Sequence, residues 1–214
     1  MSLVVFSTPG ASRAALETMQ VFELRQPEQL RLRAHPWIDA EHDNTGRYYN
    51  FREHPDQIRT SLEDLKPWAG HASTETFYQL IEWLNGPDSA LESNDCAFSG
   101  VYPNEGPHSE RQFETSGRLM VLFRDLQANT SPERVGGMAQ EVAYALSQLG
   151  PDLEAIVGVS LVDVQFTELP GPAARQKGQQ LMLSFWAWGD SEALTLATLD
   201  AALVHLWTAM RSAR

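Results

Sequence analysis

Apolar residues along this chain follow two rhythms, the helical repeat of about 3.6 residues and the strand alternation of about 2, and each rhythm predicts its own elements. In the first part, Leu3 to Phe6 predicts a short strand ended by Pro9-Gly10, and Ala14, Ala15, Leu16 and Met19 predict a short helix behind Ser12. Alternation at Leu30, Leu32 and Ala34 predicts a strand, followed by polar sequence and an aromatic group at Tyr48, Tyr49 and Phe51. Pro55 suits a first helical position, and Ile58, Leu62 and Leu65 at i, i+4 and i+7 predict a helix ending before Pro67. A second helix, capped by Ser73 or Thr74, carries Phe77, Leu80, Ile81 and Leu84 on one face and stops at Asn85-Gly86.

The pattern changes texture at Gly86-Pro87-Asp88-Ser89, which divides the chain into a half over 1–86 and a half over 87–214 that are either separate or continuous. In the second half Ala97 to Tyr102 predicts a strand, and Pro103-Asn104-Glu105-Gly106-Pro107 an exposed loop. Arg118 to Phe123 is apolar without interruption and short, the signature of a strand buried on both faces. Thr130-Ser131-Pro132-Glu133 opens a helix whose apolar face is Val135, Met138, Ala139, Val142, Leu146 and Leu149, with Gly150-Pro151 as its stop.

Ile156 to Leu169 is β-branched and long, and its apolar parity moves from Val157, Val159 and Leu161 to Val162, Val164 and Phe166, which predicts a bulge near Leu161 and Val162. Gln179 to Trp188 completes a hairpin across the connector Pro170 to Gly178. Asp190 or Ser191 caps a last helix lined by Leu199, Leu203, Leu206 and Met210.

Strand, helix, strand, strand, helix over 117–211 is the order of a split βαβ, or ferredoxin-like, layer that lacks its last strand, and the strand at 97–102 is the candidate for that edge. The expected fold class is therefore α+β, with a mainly antiparallel sheet and helices packed on one face. The opposite face then carries Met182, Trp186 and Trp188, and requires a cover from the first half, a partner or a ligand.

Composition narrows the function classes. A hydrophobic fraction of 43% with 21% charged residues is that of a folded domain. Sixteen Lys and Arg against 28 Asp and Glu give a net charge of −12, which opposes binding to phosphate backbones, so nucleic acid is not an expected partner and a basic protein is. Cys96 is the single cysteine, which fits a reducing, cytoplasmic compartment. The N-terminal residues lack the pattern of a signal peptide, and no run reaches the roughly 20 apolar residues of a membrane span.

Candidate chemistry is sparse. His35, Asp39, Glu41, His42 and Asp43 form the densest ionisable cluster, and His35, Asp39 and His42 are its candidate metal ligands, although no helical HExxH register or cysteine pair fixes them and a solvated acidic loop is the plainer reading. Cys96 and His108 have the residue types of a nucleophile pair, but Cys96 precedes an apolar strand and reads as a small buried residue. Ser160 and Ser184 lie outside any Gly-x-Ser-x-Gly turn, Gly136-Gly137 lacks the rest of a phosphate-binding loop and reads as close helix packing, and His205 reads as a core or interface histidine.

No catalytic set and no cofactor is expected. Trp186 and Trp188 are the candidate binding surface. The leading expectation is a non-enzymatic protein-binding protein, such as an inhibitor or immunity factor for a basic toxin. Its rivals are a small-molecule enzyme or sensor that uses the cleft between the halves, and a self-assembling structural factor of a phage or mobile element.

Overall fold

The computed structural model describes residues 20–22, 33–36, 49–148, 153–170 and 176–213. The strand predicted at Leu3 to Phe6, the helix predicted at Ala14 to Met19, Asp39 and His42 lie outside these residues. The strands are β1 (Gln20–Phe22), β2 (Arg33–His35), β3 (Leu91–Pro103), β4 (Phe113–Phe123), β5 (Ala155–Phe166) and β6 (Gln176–Gly189). The α-helices are α1 (Ile58–Ser61), α2 (Ala72–Asn85), α3 (Pro132–Gln148) and α4 (Glu192–Ser212).

One mixed sheet has the order β1-β5-β6-β4-β3, and β2 joins β5 beyond β1 on the same edge. β6 runs antiparallel to both β4 and β5, so β4 and β5 are parallel with β6 between them, which is the split βαβ arrangement. β3 pairs antiparallel with β4 and supplies the missing edge. The fold is α+β, as its pattern predicts.

α2, α3 and α4 cover one face. Leu119 and Val121 of β4, Val157 and Val159 of β5, and Leu181, Leu183 and Phe185 of β6 point into a core shared with Leu80, Ile81, Val142, Leu203 and Leu206 from the helices. This core runs from Phe51 to Met210 and so takes residues from both sides of Gly86. α4 is apolar around most of its circumference and, by length and mean hydropathy, resembles a membrane span more than the sequence reading allowed. It packs between α2 and α3 against the sheet.

The opposite face holds a smaller core of Leu122, Val164, Phe166 and Leu169. Here the predicted bulge in β5 is absent: pairing with β6 runs from Ala155↔Ala187 to Phe166↔Gln176 without a shift. The change of apolar parity has another cause. The first half of the strand fills the helix-side core through Val157 and Val159, and the second half fills the smaller core through Val164 and Phe166, one residue out of step because it lies on the other face. The true bulges are in β3, between Ser93 and Asp95 and between Phe98 and Val101.

The region after Pro55 also departs from expectation. Instead of one helix there is a 3-10 turn over Pro55–Gln57, then α1, a break at Leu62, and a second 3-10 segment over Glu63–Trp68 that passes through Pro67. Ile58 and Leu65 are both buried, and the tighter three-residue turn brings Leu65 and Trp68 to the same side. α2 starts at Ala72 with His71 as its N-cap and no side-chain cap, while the Thr74 hydroxyl donates to the Trp68 carbonyl. The caps of the last two helices match their sequences: Ser131 Oγ accepts from the Arg134 amide and Ser191 Oγ from the Leu194 amide.

Candidate functional site

Strand pairing brings polar side chains from distant parts of the chain together under the sheet's second face. β2 lies parallel to the end of β5, with Ala34 opposite Gln165 and His35 opposite Phe166, and the His35 ring meets the Phe166 ring edge-on at 5.8 Å. The imidazole is 3% exposed, so His35 belongs to the interior and not to a solvated loop. Its Nδ1 lies 2.8 Å from Asn94 Oδ1. Asn94 Nδ2 donates to Gln180 Oε1 at 2.7 Å, which leaves Asn94 Oδ1 as the acceptor and places the imidazole proton on Nδ1. Gln180 Nε2 faces the Met120 sulfur at 3.6 Å.

On its other side, His35 Nε2 stands 3.8 Å from Glu92 Oε1, and Glu92 Oε2 accepts from Arg52 Nη1 at 3.1 Å. The result is a chain of polar groups running from a half-exposed arginine to a buried amide. Its members come from β2, β3, β6 and the segment before α1. Chemically, it fixes a tautomer and satisfies buried polar atoms. Asp39 and His42, the companions of His35 in the candidate metal set, lie outside the described residues, and no group of three potential metal ligands occurs among those described.

Sequence reasoning missed Glu92, Asn94, Gln180 and Arg52. The available signal was Glu92 to Asp95, a polar run just before the apolar strand at Ala97. It is strand too, with Asn94 as the extra residue of a bulge that turns its side chain toward His35.

The aromatic residues of β6 sit at the other end of the same face. Trp188 is 3% exposed, and its Nε1 donates to Glu114 Oε2 at 2.8 Å, while Glu114 Oε1 accepts from the Tyr102 hydroxyl at 2.9 Å. The loop over 104–112 covers it, with the His108 ring 6.5 Å away. That loop is anchored by Ser109 Oγ to Glu154 at 3.0 Å and by Arg111 to Asp190 at 2.7 Å. Part of the cover demanded by the tryptophan face is thus the chain's own loop. Trp186 is half-buried.

Other candidates are separated or sealed. Cys96 packs against the helix-side core, whereas His108 lies by Trp188 on the other side of the sheet. Burial, followed by the neighbouring Asp95 carboxylate, pushes the Cys96 thiol up to about 12, a value for an inert side chain. Gly136 and Gly137 do not mark close packing: among the described residues, a β-carbon added to either meets nothing within 4 Å. The crevice among Leu65, Ser73, Phe77, Phe98 and Leu199 is too tight for a water molecule. His205 Nδ1 is buried and has no hydrogen-bond partner among the described residues.

On the outside, the large apolar side chains most exposed among the described residues are Tyr144 (69%), Leu194 (57%) and Val204 (44%), all on α3 and α4. Most of the described cations are engaged within the chain. Arg52 pairs with Glu92, Arg59 with Glu75 and Glu82, Lys66 with Glu63, Arg111 with Asp190, Arg118 with Asp95 and Arg134 with Asp125. Arg124 donates to the carbonyls of Leu84 and Gly86 at the C-terminal end of α2 and to that of Leu91 at the start of β3. Carboxylates such as Asp56, Asp64, Asp88, Glu105, Glu168 and Glu192 stay exposed.

No family model matches this chain, and no curated protein and no solved structure matches it either.

Proposed function

We propose that this chain is a non-enzymatic binding protein for a basic protein partner, the role of an inhibitor or immunity factor that neutralises a cationic toxin in the cytoplasm. The observation that carries the reading is the internal use of cations. Lys and Arg number 16 against 28 carboxylates, and the described cations are largely consumed by partners within the chain, so the surplus negative charge faces solvent. Such a surface raises the encounter rate with a cationic protein and repels nucleic acid.

The test is affinity capture from the native cell followed by reconstitution of the purified pair. The expected partner has a strongly basic isoelectric point and loses about tenfold or more in association rate between low and physiological salt. A neutral or acidic partner, or association indifferent to salt, sinks the reading.

A second reading, a small-molecule enzyme or sensor, draws on one observation, the convergence of His35, Glu92 and Asn94. It requires a path from solvent to an imidazole that is buried among Phe166, Asn94 and Glu92. A ligand whose thermal stabilisation of the protein vanishes in His35→Gln supports it, and equal stabilisation of both proteins removes it.

A further inference from the structure

We propose that Asn85-Gly86, at the corner where α2 leads into β3, is a deamidation site that the fold holds closed, so that an opening of this corner is recorded permanently as aspartate or isoaspartate at position 85.

The chemistry starts from the sequence. An asparagine followed by glycine is the pair in which the next backbone nitrogen meets least obstruction on its way to the side-chain carbonyl, because glycine has no β-carbon and turns freely. Of the six asparagines in the chain, Asn85 alone is followed by glycine. In the reaction the Gly86 nitrogen gives its proton to solvent base and attacks Asn85 Cγ. The N–Cγ bond forms, the Cγ–Nδ2 bond breaks, and Nδ2 takes up a proton and leaves as ammonia. Water then opens the succinimide ring at either carbonyl, giving aspartate or isoaspartate, so that one water is consumed for each ammonia released.

The contacts that pack this corner also prevent the attack. Asn85 is the last residue of α2 and is 8% exposed. Its Nδ2 donates to the Ile81 carbonyl and to Ser93 Oγ, both at 2.8 Å, and its Oδ1 accepts from the Ser93 amide at 3.3 Å. The side chain is thereby tied one turn back along the helix and across to β3. The Gly86 nitrogen is tied separately, since its N–H donates to the Trp83 carbonyl at 3.1 Å, and Arg124 holds the carbonyls of Leu84 and Gly86 on either side of Asn85. Attack requires the side chain to turn and the amide to lose its acceptor in the same opening.

Both residues are selected by packing. Only an amide can donate to Ile81 and accept from Ser93 at once. Gly86 has φ of −76°, which any residue adopts, yet a β-carbon on it would stand 3.0 Å from the Glu82 carbonyl oxygen and 3.4 Å from that of Trp83. Once the reaction has occurred, the clamp does not re-form as it was. Aspartate offers acceptors only, which sets a carboxylate oxygen against the Ile81 carbonyl and adds negative charge at the negative end of the helix dipole, offset in part by Arg124. Isoaspartate adds a methylene to the main chain and displaces Gly86 from the Trp83 carbonyl.

The full chain is incubated in mildly alkaline buffer, folded and in urea, and the asparagines are followed by peptide mapping with mass spectrometry that separates aspartate from isoaspartate. In urea the expected result is conversion at Asn85 ahead of every other asparagine, slowed by Gly86→Ala. Folding is expected to slow conversion at Asn85 about tenfold or more. In the folded chain Ser93→Ala, which removes one acceptor of the clamp, is expected to raise the rate about threefold or more above wild type. The rise is expected to exceed that of Val142→Ala, a core change in α3 across α4 from the corner, with each variant held equally far below its own melting temperature. Asn85→Asp is expected to lower the melting temperature by about 3 °C or more.

Equal rates for the folded and the urea-unfolded chain overturn the clamp. Equal acceleration by Ser93→Ala and Val142→Ala assigns the reaction to global unfolding and overturns the opening of the corner. An Asn85→Asp chain that melts with wild type overturns the failure of the clamp to re-form.

Discussion

Single residues in this protein act mainly through what surrounds their first carbon or their proton. The Cys96 thiol is held up to about 12 by burial, so a chain that unfolds between about pH 9 and 12 releases a proton that the folded chain retains. The unfolded state then binds fewer protons, and stability is expected to fall with rising pH across that window, with a ceiling of about 1.4 kcal/mol per pH unit. Tyr78 and Tyr102 are raised by burial with the same sign, so the measurement is the difference in urea midpoints between wild type and Cys96→Ala. The variant should show the shallower slope, and parallel slopes refute the burial of the thiol. The glycines divide into two kinds. Gly136→Ala and Gly137→Ala should each stabilise by roughly 0.5–1 kcal/mol, since their β-carbons meet open space. Gly117→Ala and Gly178→Ala should each destabilise by more than about 1 kcal/mol, because those β-carbons would lie 2.5 Å from the Phe185 ring and 2.4 Å from the Asn129 carbonyl. Denaturant titration separates the pairs. The pattern of the chain gave Gly136 and Gly137 close helix packing, because sequence records that a side chain is missing and not whether a neighbour fills the gap.

Among the elements, β2 is the most dependent on side chains. It has three residues, and it is held by its ladder to β5, by the His35 carbonyl accepting from the Thr167 amide at 2.9 Å, and by the imidazole under it. His35→Phe keeps the ring and removes the proton donor, leaving Asn94 Oδ1 without this donor in the interior. The expected cost is about 1–3 kcal/mol. The accompanying signal is faster hydrogen exchange at the Thr167 amide, and unchanged protection there means that the side chain does not hold the strand. Long elements were easy to read: α3 and α4 keep their apolar spacing and their serine caps, and β4 and β6 each hold a largely apolar stretch, Leu119 to Phe123 and Leu181 to Trp188. Short or polar ones were not. β1 has only three residues, too few for an alternation to register, and the first third of β3 is Glu92 to Asp95, whose polar side chains pair with partners far along the chain, among them His35 and Arg118. A buried polar strand looks like a loop until its partners are known. The same ambiguity hid the candidate polar site, of which only His35 was flagged, for metal chemistry.

For the molecule as a whole, charge sets the solution behaviour. With 12 more carboxylates than cations and most of the described cations paired in place, added charge pairs contribute little and the remaining carboxylates repel one another. Screening is therefore expected to stabilise the fold, by about 1 kcal/mol or roughly 2–4 °C in melting temperature between 20 and 500 mM sodium chloride. A melting temperature that falls with salt contradicts this account. The layer order was legible because a split βαβ follows from the sequence of elements alone, with the strand pattern at 97–102 as the candidate for its edge, where β3 lies. That edge has a consequence for life in a crowded solution. A long outer strand offers a row of backbone donors and acceptors to any other strand, yet β3 is broken twice, ends in Pro103, and bends at Gly100, whose φ of 73° is closed over by the Trp68 ring. Each irregularity interrupts the template that a second strand would need, so the same kinks that misalign β3 within its own sheet guard the molecule against growing into fibrils from that side.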